Sequence, residues 1–358
     1  MSDEEPSKRA NDQSAIEREI DRRASENQQQ YKRVHVRKLI PAELVYAFVV
    51  LLLLGLCIAL WTVRTVSKDA GERYYNEPLW NFRAAQPHAQ LDFVQEEESH
   101  RQAVATAQKK GVDEYAKALA DLGRFYLLNG RWDQAAEEMQ TAHKAASSGH
   151  RDKALMESID FALGDADLQM GRSEEALQWL QKSNTLLDQA GMPDDAARTK
   201  ILEDLVTAYS DTNNLQAART ACVRLLQQIS DPHSHSTANP TLWRCQLADI
   251  CRRTQDYAGA EQMFREALPQ LVKTGGSTSS DVARARFGLA LTCARNGQSQ
   301  EANKNFALAM SAAEQSEGPR SALLRAIKHA YAYNLWKSNW IAAAAMTFSA
   351  TDQESKTK

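Results

Sequence analysis

Four side chains near the middle of the chain are of the types that bind zinc: His233, His235, Cys245 and Cys251. A zinc site needs its thiolates and imidazoles to converge on one point. On an α-helix, a six-residue gap turns one cysteine from the other by about 240°, so Cys245 and Cys251 face different ways. The spacing predicts a solvated histidine loop and buried thiols, and no metal. Cys57, Cys222 and Cys293 follow no ligand or disulfide spacing either, and read as small apolar side chains. The carboxylates Glu96–Glu98 and Glu137–Glu138 read as solvated helix faces. The sequence has no glycine-rich phosphate loop after a strand, no HExxH pair and no nucleophile elbow. These residues predict no enzyme, no cofactor and no small-molecule substrate.

The elements that carry these residues are helices. The chain has 358 residues with 15 glycines and 9 prolines, is rich in alanine, and nowhere alternates at strand spacing for long. The expected fold class is all-α. A formal charge of −3 argues against nucleic acid as a partner.

From Leu44 to Val63 the chain runs for twenty residues without a charge, with Tyr46 and Trp61 near the ends. As a helix this stretch is about 30 Å long, which matches a bilayer's hydrocarbon core. Some forty polar residues precede it and no A-x-A-like site follows, so an uncleaved anchor over 41–63 is expected in place of a signal peptide. Lys32, Arg33, Arg37 and Lys38 flank one side, and Arg64, Lys68 and Arg73 the other at wider spacing. The positive-inside rule then predicts a single-pass membrane protein: N-terminus cytoplasmic, the rest extracytoplasmic, in a periplasm or at the cell exterior. Residues 1–40 read as a polar, largely disordered tail, with Ile16 and Ile20 spaced for a short helix. Residues 64–90, with Pro78 and Pro87, read as a linker.

Beyond the linker the sequence repeats. Leu122-Gly123, Tyr126, Gly130, Trp132, Ala135, Met139 and Ala142 return 41 residues later as Leu163-Gly164, Gly171, Ala176 and Leu180. Shifts of 42 give Leu205, Tyr209, Asn213, Ala218 and Cys222, then Leu247-Ala248, Cys251, Tyr257, Ala260 and Phe264. Leu289-Ala290, Cys293, Gly297, Ala302 and Phe306 follow, and a degenerate copy carries Ala330, Trp340, Ala343 and Thr347. Clusters such as SSGH (147–150), TGGSTSS (274–280) and EGPR (317–320) separate the units. Each unit is predicted to be a helical hairpin that buries its apolar face only against its neighbours. Asn129-Gly130, Gly171, Asn213-Asn214, Gln255-Asp256, Asn296-Gly297 and Ser338-Asn339 would form the tight turns. Residues 91–110 would cap the array, so that an α-solenoid spans 91–348 ahead of a disordered 349–358.

These landmarks resemble the tetratricopeptide repeat (TPR) family over roughly 112–348. The 41–42-residue period is longer than the family's usual 34 or so and is similar to the long repeats of kinesin light chains. The resemblance implies a binding groove lined by one side of each unit's first helix. Carried onto this chain, that stripe gives Lys117 and Arg124, Phe161 and Asp165, then Lys200, Glu203 and Asp211. Asp249, Arg252, Arg253, Arg284, Phe287, Arg295, Arg325, Lys328 and Trp336 continue it. The stripe turns basic and aromatic toward its C-terminal half, which suits a protein partner with an acidic extended segment. The function implied is a membrane-anchored scaffold or adaptor. The alternatives are a docking receptor of reversed topology, or an accessory assembly subunit of a membrane enzyme, secretion or transport complex.

Overall fold

A computed structural model describes residues 93–150, 152–190, 195–231, 234, 236–336 and 340–355. Ahead of these it describes residues 18–19, 21–28, 49–52, 54–55, 58–59, 61–62, 65, 73 and 75–80. The chain divides into two compact units, Met1–Val63 and Arg64–Lys358.

In the first unit, residues 21–28 are helical and exposed, and Arg23 pairs with Glu19 at 3.2 Å. The expected membrane anchor over 41–63 is corrected here. Among the described residues no helix is long and apolar enough to cross a membrane. A crossing needs about 20 consecutive apolar residues in one helix. The rest of 41–63 lies outside the described residues. The single-pass assignment goes with the anchor, and so does the placement of the two ends on opposite sides of a bilayer.

The second unit is a stack of helices, with no strand among the described residues. A leading helix, α1 (Phe93–Gln108), precedes six pairs. They are α2 (Val112–Leu128) with α3 (Trp132–Ser148), α4 (Lys153–Gln169) with α5 (Ser173–Ala190), and α6 (Asp195–Asp211) with α7 (Leu215–Ile229). Then come α8 (Pro240–Arg253) with α9 (Tyr257–Gly275), α10 (Ser280–Arg295) with α11 (Ser299–Glu317), and α12 (Ala322–Leu335) with α13 (Trp340–Ser355). The last helix runs past the expected boundary at 348, because the polar end TDQES contains no glycine or proline to stop it.

The turns explain the period. Gly130, Gly171, Asn213, Gln255 and Gly297 all have left-handed backbone, with φ between 59° and 78°. At each, the next residue's amide reaches back to a carbonyl five residues earlier, as Arg131 does to Tyr126 and Asp256 to Cys251, both at 2.9 Å. This closure satisfies the carbonyls that a helix end leaves open. The sixth expected turn, Ser338-Asn339, lies outside the described residues. Helix starts follow the breaker clusters, where Asp152, Asn239, Ser279 and Ser321 accept the first backbone amides.

Small residues set the helix crossings. Ala135, Ala176, Ala218, Ala260, Ala302 and Ala343 are all fully buried. A Cβ on Gly164 would lie 2.6 Å from Leu180 Cγ, so any larger residue there would push α4 and α5 apart. At the open end, α1 stacks Phe93 on Phe125 at 5.0 Å and accepts the Tyr126 hydroxyl on Glu97 at 2.7 Å, which gives the first hairpin an apolar neighbour on its outer side.

Candidate functional site

The first helices of successive hairpins present equivalent positions 42 residues apart, and α6, α8, α10 and α12 contribute the surface that matters most. Asp249 and Arg252 lie one turn apart on α8, so both side chains point to the same side. Arg252 is 2 % exposed and donates to Asp249 Oδ1 at 2.8–2.9 Å. A guanidinium has five donors, and here the remaining ones serve the main chain of a distant segment.

That segment is residues 73–80. Arg73, Tyr75 and Asn76 are helical, and the Glu77 amide donates to the Arg73 carbonyl at 3.1 Å. Pro78 ends the helical backbone, since the residue before a proline is biased to extended backbone. Arg252 donates to the carbonyls of Tyr75 and, at 3.1 Å, Glu77. Arg253 donates to the Asn76 carbonyl at 3.0 Å and, with its other end, to the Ser210 carbonyl at 2.9 Å. The Leu79 amide donates to Asp249 Oδ2 at 3.0 Å. Four consecutive peptide groups are thus read without regard to side-chain identity.

Two aromatic anchors flank this main-chain ladder. The Tyr75 ring meets Tyr333 of α12 edge-on at 5.7 Å and lies under the Arg295 guanidinium at 4.6 Å, a cation–π geometry. Burial pushes the Tyr75 phenol well above its ordinary pKa, against the opposing pull of Arg295. At the other end the Trp80 indole stacks on Phe264 of α9, with centroids 6.1 Å apart and planes 18° from parallel. Gly288 makes room for the Phe264 ring: a Cβ there would lie 2.8 Å from Phe264 Cε1. Tyr75, Leu79 and Trp80 are 4 %, 9 % and 4 % exposed and join the core that runs from α4 to α12. The stretch expected to be a linker is, in this part, a packed element; its other residues lie largely outside the described set.

Of the residues that the family stripe nominated, the structure gathers four, Asp249, Arg252, Arg253 and Arg295, around residues 75–80. Phe287 is placed in the core, 1 % exposed and 6.2 Å from Phe306, so it presents nothing to a partner. Arg284 pairs with Glu317 at 3.0 Å, and Arg124 with Asp121 at 2.6 Å. Lys328 donates to Ser349 at 3.0 Å. Lys117 is exposed, while Arg325 and Trp336 are half-buried. Phe264, Gly288 and Tyr333, which complete the two anchors, were not in the stripe. Gly288 sits one residue before the repeat's Leu-Ala landmark, and its glycine was the available signal.

A second polar cluster lies on α6. Lys200 Nζ is 3.2 Å from Asp204 Oδ1 and 3.9 Å from Glu203. Burial raises the Asp204 carboxyl to about 7, with Lys200 opposing and Asp165 and Glu203 adding to the rise. Cys245 and Cys251 are both fully buried, and burial pushes Cys222 and Cys245 up to about 12 and Cys293 to about 11. Such thiols stay protonated at neutral pH. His233 and His235 lie outside the described residues, among which no group of three or more His, Cys, Asp or Glu could hold a metal ion.

With the geometry in place, residues 237–315, which span α8 to most of α11, match the tetratricopeptide repeat family. The hairpins within that span match tetratricopeptide repeats, and the other hairpins are helical pairs of the same kind. None of the curated proteins matches the chain. Among solved structures, the apo form of RapI is similar over 74 % of this chain and 77 % of its own, at 11 % identity and a TM-score of 0.52. That likeness shows a shared fold. A kinesin light chain of nearly identical TPR-like repeats from Podosopora anserina covers 56 % of this chain and 95 % of its own, at 17 % identity and a TM-score of 0.46.

Proposed function

We propose that this TPR solenoid is a binding scaffold that takes up an extended protein segment in the groove of α6, α8, α10 and α12, with no reaction of its own. One observation carries the reading: this surface already holds residues 75–80 through four main-chain contacts to Arg252, Arg253 and Asp249. A groove that reads peptide groups in series, with pockets for side chains at either end, has the features used to bind extended peptides. The mode differs from the carboxylate capture expected from the stripe. Here the arginines donate to carbonyls and cover an aromatic ring, while the segment's own carboxylate, Glu77, pairs with Arg73. The preferred partner is therefore defined by an open main chain and bulky apolar side chains more than by acidity.

The test uses photo-crosslinking amino acids placed singly at Arg295, in the groove, and at Lys304, exposed on α11. The cross-linked partner segment is mapped, synthesised and titrated against the purified chain. Binding in the groove gives a partner that cross-links at 295 and not at 304, and whose synthetic segment binds directly. The same proteins at both positions, or a mapped segment that does not bind, would overturn the reading.

A further inference from the structure

The residues that fill the groove belong to the chain itself, and their chemistry describes what the groove accepts. We infer that Tyr75–Trp80 is a built-in competitor for the binding groove, and that the partner is an extended segment of the same chemistry. Such a segment has an aromatic residue for the Arg295–Tyr333 end, a free main chain for Arg252, Arg253 and Asp249, and an indole for Phe264. The inference rests on the proposed binding function and adds to it the partner's chemistry and its regulation.

Three features point to a displaceable occupant and not to one more structural helix. The contacts are made largely to backbone carbonyls and one backbone amide, which any segment can supply. Residues 77–80 have no regular structure of their own, so removing them leaves every hairpin's internal helix bonds in place. The Trp80 seat is also built into the repeats. Phe264 occupies a repeat landmark, and the absent side chain at Gly288 gives its ring the room to face the indole.

Competition is strong because it is intramolecular. Twelve residues, 81–92, connect Trp80 to α1, and short tethers give effective concentrations on the order of millimolar. A free partner must outbid that concentration, so it binds more weakly to the intact chain than to one whose own segment has lost its anchors. The partner's affinity then depends on how well it reproduces both aromatic ends. Glu77 makes its ion pair with Arg73 outside the groove, so its charge is not part of what the groove reads.

The probe is the synthetic peptide RYYNEPLW, copied from residues 73–80, titrated against the full chain and its Tyr75→Ala/Trp80→Ala variant, with thermal melting as the fold control. The variant should bind the peptide at least tenfold more tightly than the wild type, and a peptide with alanine in place of its tryptophan should lose most of that affinity. In parallel, hydrogen exchange on the wild-type chain reads the Leu79 amide, which Asp249 holds. Excess peptide should speed its exchange about tenfold while amides inside α8 stay protected. Equal affinity of the two chains, or an exchange rate at Leu79 that excess peptide leaves unchanged, overturns the inference, including where the variant fails to fold. If neither chain binds the peptide while a partner still cross-links at position 295, the groove binds but the segment does not gate it. If both experiments fail, the binding function falls as well.

Discussion

Replacing Arg252 with methionine separates a structural role for this guanidinium from a merely decorative one. Arg252 is 2 % exposed, and the carboxylate it holds, Asp249, is 3 % exposed. The substitution keeps the length of the aliphatic stem but takes from the buried Asp249 its ion-pair partner, leaving the Leu79 amide and the nearby Arg253 charge to support it. It also strips the Tyr75 and Glu77 carbonyls of their donor. Removing one member of a buried ion pair costs about 3–5 kcal/mol, most of it the uncompensated charge. Asp249→Leu leaves the guanidinium unpaired and should cost about the same. The double variant removes both charges and retains only the cost of the segment's unpaired peptide groups, about 1–3 kcal/mol. It should therefore be more stable than either single variant, a coupling that only contacting residues show. Equilibrium urea unfolding of the four chains, followed by far-UV circular dichroism, measures it. If the two single costs simply add, Arg252 and Asp249 are not a buried pair, and the account of how the groove holds its segment is wrong.

Three further outcomes follow from other parts of the fold. Gln255 has φ 66° where three equivalent turns have glycine. Gln255→Gly should stabilise the chain by about 0.5–1 kcal/mol, the left-handed penalty less glycine's entropy. Gly297→Ala, with nothing within 4 Å of the added Cβ, should cost about 1 kcal/mol through backbone alone; thermal melting that shifts both variants the same way would contradict the shared turn. The third outcome concerns pH. Asp204 is buried with its carboxyl raised to about 7, against about 3.9 in an unfolded chain, so the folded state binds the extra proton between these values. Stability should be highest below pH 4 as far as this group is concerned, and should fall by on the order of 2–4 kcal/mol as pH rises to 7. Asp204→Asn should match the wild type near pH 4 and exceed it at pH 8; a variant equally stable relative to wild type at both pH values would show that Asp204 titrates normally.

Much of the solenoid was legible because its determinants are local and repeated. Gly130, Gly171 and Gly297 mark turns by type alone, and Asn213 is a common substitute at φ > 0. Gln255 carries no such signal and was placed only by counting 42 residues from its neighbours. The small alanines were legible for the same reason: one steric requirement, stated six times, is hard to miss. Phe287 shows where the carry-over fails. It falls in the stripe by register, but Phe306 and the neighbouring core claim its ring, and no one-dimensional pattern separates those two sides of a well-buried helix. The apolar run at 44–63 was read from hydropathy over a window, whereas among the described residues no helix is long and apolar enough to cross a membrane.

The groove's occupant was hidden for a different reason. Residues 73–80 contain a proline and two neighbouring tyrosines, and short segments of that kind have no periodicity to read. Their meaning is set by positions some 175 residues away: Arg252 is surface-like in type, and Asp249 beside it looks like an ordinary helical ion pair. Only when α8 supplies both and the segment supplies its carbonyls do the pair's spare donors acquire partners. The same dependence makes the arrangement suited to exchange. A helix–helix contact inside the solenoid depends on side chains whose volumes match, as at Gly164 and Leu180, and a foreign sequence cannot substitute for one partner. The segment is held mainly by peptide groups and two ring faces, which a foreign sequence can supply. A site of that kind discriminates at its ends, at Tyr333–Arg295 and at Phe264, so the identity of the partner is to be sought in its aromatic residues.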